Sequence, residues 1–139
     1  MKRCIIILLL TLIVHLGYCP EVKDKVDNSL TTVLLAIIEQ ESNWDTKVIN
    51  YKEIALGALQ VRKCVIDDVN IYYRTTYRHA DMFDINQTIQ VFWLYQKRYH
   101  TTLTPEVVAR TWVGGPNGMH RKYTINYWNQ VKQKMKNYE

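Results

Sequence analysis

From Leu30 to Trp44 the apolar and polar positions recur with a helical period. At ~100° per residue, with Leu30 set to zero, Val33 falls at ~−60°, Leu34 at ~+40°, Ile37 at ~−20° and Ile38 at ~+80°. These residues form one apolar stripe, which predicts a helix laid against a core. Glu39 and Glu41 then receive opposite surroundings. Glu39 falls at ~180° and is predicted to face water, whereas Glu41 falls at ~+20°, in the middle of the stripe and about one turn before the helix should end. A carboxylate in that position is costly unless it is paired, protonated or at the floor of a cleft. Desolvation raises its pKa, the direction a general acid needs. A buried arginine partner or a shifted helical phase would also account for it, so the helix alone leaves the choice open.

The pattern continues in four more helical stretches separated by punctuation. Asp45 to Glu53 mixes Thr, Asn, Lys and Tyr with two β-branched residues and reads as an irregular loop or a short hairpin. Val61, Val65, Ile66, Val69 and Tyr72-Tyr73 then follow a helical spacing. Arg74 to Asp81 is polar and reads as loop. Asp84-Ile85-Asn86-Gln87 has the spacing of a capping box and opens a helix carrying Ile89, Phe92, Trp93 and Gln96 on one face. Thr104-Pro105-Glu106 places a cap, a proline and an acid at the start of the next helix, which carries Val107, Val108 and Trp112. Gly114-Gly115-Pro116-Asn117-Gly118 stops it. Thr124 starts the last, with Tyr127, Trp128, Val131 and Met135 periodic and a lysine-rich end that suits the helix dipole. The prediction is a mainly α fold of about five helices with little or no strand.

The ends and the composition refine this picture. Lys2-Arg3 followed by the apolar run Cys4 to Val14 is a secretory-signal pattern, too short to span a bilayer. The expected organisation is a signal peptide over 1–19, a linker over 20–28 and one domain over 29–139, with an uncleaved membrane anchor as the alternative. Leu16-Gly17-Tyr18-Cys19 has the form of a degraded lipobox, so a lipid on Cys19 would tether the domain to a membrane, although the bulky Tyr18 argues against it. The expected location is secreted or periplasmic. With 139 residues the chain is short enough for one domain and reads as globular. Cys64 is the single cysteine beyond the leader edge, so no intrachain bridge and no metal-ligand spacing is expected, and its place among Val61, Val65 and Val69 reads as a buried thiol. The net charge of +5 does not call for nucleic acid, because Lys and Arg alternate with acids along much of the chain. The late cluster of Arg121, Lys122, Lys132, Lys134 and Lys136 fits a solvated face, with an acidic polymer or anionic membrane as the alternative partner.

Four short constellations could carry chemistry. They are Glu41-Ser42 with Trp44, Gly57-Ala58-Leu59-Gln60, Trp112-Val113-Gly114-Gly115-Pro116, and Tyr127 near the start of the last helix. Gln60 presents both a donor and an acceptor, as a sugar with hydroxyl and N-acetyl groups requires. Singly, each also fits a turn, a cap or the core. In this order and spacing, Ile38-x-x-Glu41-Ser42-Asn43-Trp44, Ala55-x-Gly57-Ala58-Leu59-Gln60, Ala109-Arg110-x-Trp112-x-Gly114-Gly115-Pro116 and Thr124-x-x-Tyr127-x-x-x-Val131 resemble the lytic transglycosylase SLT domain of the lysozyme-like superfamily, in its small secreted and phage-borne form. Val65-Ile66-Asp67-Asp68-Val69-Asn70 is similar to the stretch that follows the glutamine motif there. The resemblance spans about residues 30–135.

The resemblance implies a helical lysozyme-like domain, monomeric, with a cleft for peptidoglycan glycan strands and no need of metal or cofactor. It implies Glu41 as the catalytic acid/base and Tyr127 as a hydrogen-bond partner near its carboxyl. Ser42, Gly57, Ala58, Leu59, Gln60, Trp112, Gly114 and Gly115 are implied around the substrate. Val113 stands where the family usually has Asn. Tyr51 and Ile54 occupy the spacing at which many members carry Ser and Gly. The implied reaction cleaves the β-1,4 bond between MurNAc and GlcNAc with one glutamate and closes a 1,6-anhydro ring. A hydrolysing muramidase remains the alternative. It would need a second carboxylate from among Asp45, Glu53, Asp67 and Asp68, with Glu53 the best placed. A glycan-binding module without turnover is a further alternative.

Overall fold

The computed structural model describes residues 28–139, so the leader, Cys19 and all but the last residue of the linker lie outside the described residues. Five α-helices carry the fold: α1 (Asn28–Ser42), α2 (Lys63–Tyr73), α3 (Ile85–Tyr99), α4 (Pro105–Gly114) and α5 (Tyr123–Met135). Two 3-10 turns, His79–Phe83 and Gly118–His120, join them. A three-stranded antiparallel sheet, β1 (Ile49–Asn50), β2 (Ala55–Leu56) and β3 (Val61–Arg62), lies between α1 and α2. Its register pairs Ile49 with Leu56, Asn50 with Ala55, Ala55 with Arg62 and Leu56 with Val61. The mainly α class expected from the periodicity is the class observed, and the Asp45–Glu53 region is the hairpin alternative.

Helix α1 is the hub. Val33, Ala36, Ile37 and Ile38 are fully buried, and α1 packs chiefly against α5 and also against α4. Helix α2 packs against α3. Phe92, Val91 and Trp112 join α3 and α4 to the same core, with the Phe92 and Trp112 rings 4.8 Å apart. The helix starts follow the expected chemistry. Asp84 Oδ1 accepts from the Asn86 and Gln87 amides at 2.8 and 3.1 Å, and Thr104 Oγ1 accepts from the Val107 amide ahead of a proline-led first turn. Gly115, at φ +75°, terminates α4 with its amide donating to the Thr111 carbonyl at 2.9 Å.

Four expectations change in the structure. Val61 belongs to β3, so α2 begins at Lys63 and its buried stripe is Val65, Ile66 and Val69. Cys64 therefore lies off that stripe and is exposed, not buried. α1 ends at Ser42, because Asn43 and Trp44 take left-handed φ values of 50° and 68°, and Trp44 is exposed. Glu39 does not face open water. Lys134 Nζ donates to it at 2.9 Å and Tyr138 Oη at 2.7 Å, and these two bonds hold its carboxyl below its ordinary pKa. The Trp44 indole donates to Tyr138 Oη at 3.1 Å, so Tyr138 is tied both to the loop after α1 and, through Glu39, to α1 itself two residues before Glu41.

Candidate active site

Glu41 stands on the last turn of α1 because its phase on the helix is that of Leu34, Ile37 and Ile38. Helix α5 lies against that face and brings Tyr127 to it. The Tyr127 hydroxyl donates to Glu41 Oε1 at 2.5 Å. Burial is the largest influence on Glu41 and raises its pKa above the usual 4.5. The Tyr127 bond and the Arg62 charge pull it down, and the Glu53 charge pushes it up. Burial also lifts the Tyr127 hydroxyl well above its ordinary 10, with the Glu41 charge adding to it, so that hydroxyl stays a donor throughout the working pH range.

A cavity of about 320 Å³ opens at Glu41, lined by Asn50, Glu53, Ala55, Gln60, Arg62, Val65, Trp112, Val113 and Tyr123. A larger hollow of about 450 Å³ lies between the start of α1 and the chain's end, and none of its lining residues is shared with the Glu41 cavity. The hydrophobic Val113 edge gives this side of the cavity no amide, as its departure from Asn implies.

The residues implied by the resemblance divide into two sets. Glu41, Gln60 and Trp112 line the cavity, and Tyr127 binds Glu41 from behind. The others build the frame. Ser42 Oγ donates to the Ile38 carbonyl at 3.2 Å, and Ala58 and Leu59 are core residues, 1% and 0% exposed. Gly57, at φ +75°, lets the turn pass the Met82 carbonyl, which a Cβ there would meet at 1.9 Å. Gly114 makes room for α5, since a Cβ would meet Thr124 Cγ2 at 2.6 Å. Gln60 is half engaged. Its Nε2 donates to the Gly57 and Val48 carbonyls at 2.9 and 3.3 Å, so its acceptor oxygen, not a donor–acceptor pair, remains for a ligand. The Trp112 indole likewise donates inward, to the Leu59 carbonyl at 3.2 Å.

Asn50, Arg62, Val65 and Tyr123 line the cavity without having been singled out. Two of them carried a readable signal. Val61 is buried in β3, so the alternation of a strand turns Arg62 to the other face. Tyr123 lies one helical turn before Tyr127 on α5. Ile54, placed where many of the resembled proteins carry Gly, has φ 50°, a left-handed conformation that strains a β-branched residue. Of the four acids weighed as a second carboxylate, Glu53 alone lines the cavity. Asp45 caps the Lys47 amide at 2.8 Å, Asp67 pairs with Lys63 at 2.7 Å, and Asp68 pairs with Arg98 at 2.7 Å. No group of metal-ligating side chains occurs among the described residues.

A helical fold whose acid-bearing hub helix closes a cleft against a small antiparallel sheet is lysozyme-like, and solved structures agree. The chain superimposes on Tapes japonica lysozyme with a TM-score of 0.64 and 26% identity, over 73% of this chain and 87% of that one. A chain from the crystal structure of Aeromonas hydrophila PliI in complex with Meretrix lusoria lysozyme matches with a TM-score of 0.64 and 22% identity, again over 73% and 87% of the two chains. No protein-family model and no curated protein sequence matches the chain.

Proposed function

We propose that this protein is a peptidoglycan lytic transglycosylase, cleaving the β-1,4 bond between MurNAc and GlcNAc with Glu41 as its single acid/base. The observation that carries the reading is Glu41 itself. It is a carboxyl drawn out of water at the floor of a cavity, with a raised pKa and one oxygen held by Tyr127. Because Oε1 accepts from Tyr127, the proton sits on Oε2 and faces the ligand. That proton passes to the leaving glycosidic oxygen as the C1–O bond breaks. The N-acetyl carbonyl of the same sugar closes on C1 and spreads the positive charge. Glu41, now a carboxylate, takes the proton of the sugar's 6-hydroxyl, whose oxygen displaces the acetyl oxygen from C1. The product is a 1,6-anhydro end and no water is consumed. Glu53 is unsuited to a buried nucleophile's role, since its side chain is 56% exposed and lies near Arg62.

A second reading, hydrolysis, is favoured by two observations. Glu53 does line the same cavity as Glu41, and the similar Tapes japonica structure is a lysozyme. Mass spectrometry of digested sacculi separates the two. Transglycosylation gives fragments one water lighter than hydrolysis does. Fragments bearing only reducing MurNAc ends would overturn the transglycosylase reading in favour of hydrolysis. On this reading we propose that the enzyme works as a monomer in the cell envelope, secreted or periplasmic, with a lipid on Cys19 as its tether in a lipidated form.

A further inference from the structure

Among the described residues, Arg62 is the arginine that lines the Glu41 cavity. Arg78, Arg98 and Arg110 each touch a carboxylate at 2.7–2.8 Å. Arg62 lines the Glu41 cavity with a 42% exposed side chain, and its one ion pair, to Glu53, spans 3.9 Å. That is well beyond the ~2.7–2.9 Å of a charge-assisted hydrogen bond. A guanidinium carries five N–H donors in a planar fork matched to a carboxylate.

The rest of the cavity supplies few donors. The Gln60 amide and the Trp112 indole both donate to backbone carbonyls. Asn50 Oδ1 accepts from the Lys52 and Glu53 amides at 3.1 and 3.3 Å, which leaves its Nδ2 to donate. Arg62 is the one cation among the lining residues, and Val113, Val65 and Ala55 among them are apolar. A neutral sugar chain would leave that fork with only the distant Glu53 as an anionic partner, and a strand bearing carboxylates would fill it.

We propose that Arg62 is a specificity-determining residue that pairs with a carboxylate on the glycan strand, so that anionic strands are preferred over neutral chitin-type ones. This rests on the glycan-cleaving reading of the same site. The carboxylate has two sources in peptidoglycan. The MurNAc lactyl group presents one when its stem peptide has been removed, and the stem peptide presents its own when it is in place. If the lactyl group is the partner, a reaction of the amidase class must act on the strand first.

The test uses three glycans of matched length: strands stripped of peptide, strands with stem peptides, and chitooligosaccharide. The affinity of Glu41→Gln for each, by calorimetry, measures recognition apart from turnover. At low salt the carboxylate-bearing strands should bind about tenfold more tightly than chitooligosaccharide, the range of one charge-assisted contact at a half-exposed site. Whichever peptidoglycan arm binds better identifies the carboxylate. In the Glu41→Gln/Arg62→Gln double variant the preference should vanish, and Arg62→Lys should restore part of it. Equal affinity for all three glycans in the Arg62-containing protein would overturn the proposal, whether or not the Arg62 variants fold. Tight, ordered binding with no wild-type turnover on any glycan would instead overturn the glycan-cleaving reading and leave the role of Arg62 standing.

Discussion

Replacing Tyr127 by Phe removes one hydroxyl and leaves the ring that packs α5 on α1. The lost group donates to Glu41 Oε1 at 2.5 Å, and that bond opposes the burial that raises the Glu41 pKa. A hydrogen bond to an ionised group stabilises it by about 1.5–3 kcal/mol, and ~1.4 kcal/mol is a tenfold change in an equilibrium constant. Without the hydroxyl, the Glu41 carboxyl should be harder to ionise by about tenfold or more. The sign follows from the role. A general acid works protonated, so wild-type kcat/KM falls as pH rises through the Glu41 pKa. In Tyr127→Phe that fall should move to higher pH. Turnover at the optimum should also drop, because the second oxygen is no longer held in one orientation. The assay is solubilisation of purified peptidoglycan across pH, with chain integrity checked by thermal unfolding. An alkaline limb that stays in place, or moves to lower pH, would refute the coupling between Tyr127 and Glu41.

Three further outcomes follow from the same geometry. Glu41→Gln should raise the unfolding temperature at neutral pH. A folded-state carboxyl pKa above 4.5 means that ionisation costs stability, absent below 4.5 and present once pH passes the folded value, so a gain that persists at acid pH would count against the burial. Gly57→Ala should cost more than Gly115→Ala. Both sites have φ +75°, where an alanine would carry about 1–2 kcal/mol of backbone strain, but only at Gly57 does the new Cβ meet a backbone oxygen, at 1.9 Å against 3.9 Å to Tyr95 Oη at Gly115. Equal losses in chemical denaturation would show that the Met82 contact yields freely. Ile54→Gly should relieve the left-handed strain at φ 50° and leave stability unchanged or higher by up to about 1 kcal/mol, where a β-branched loss elsewhere would destabilise, and a clear drop in denaturation midpoint would refute it.

Much of this arrangement was legible along the chain because it depends on local rules. The wheel position of Glu41 needs only the phase set by Leu34, Ile37 and Ile38. The starts of α3 and α4 need only Asp84 and Thr104-Pro105. What stayed hidden depends on contacts distant in sequence. Glu39 reads as water-facing because nothing near it announces Lys134 or Tyr138, which reach it from the far end of the chain. Cys64 reads as core because Val61 has the spacing of a helix that starts only at Lys63, a boundary set by pairing between β2 and β3. The glycines of the resembled motifs read as cleft wall, whereas their requirement at Gly57 and Gly114 is room for Met82 and Thr124. Gln60 read as a free amide because its inward bonds to Val48 and Gly57 arise from the turn itself.

The central claim is that one buried glutamate does the chemistry. Its most direct test is release of soluble glycan fragments from purified peptidoglycan by wild type and by Glu41→Gln, with binding to the same material measured alongside. Wild type should release fragments. Glu41→Gln should bind as well while losing turnover by about 10²–10⁴-fold, the scale of general acid–base catalysis. Turnover by Glu41→Gln at the wild-type rate would contradict the account.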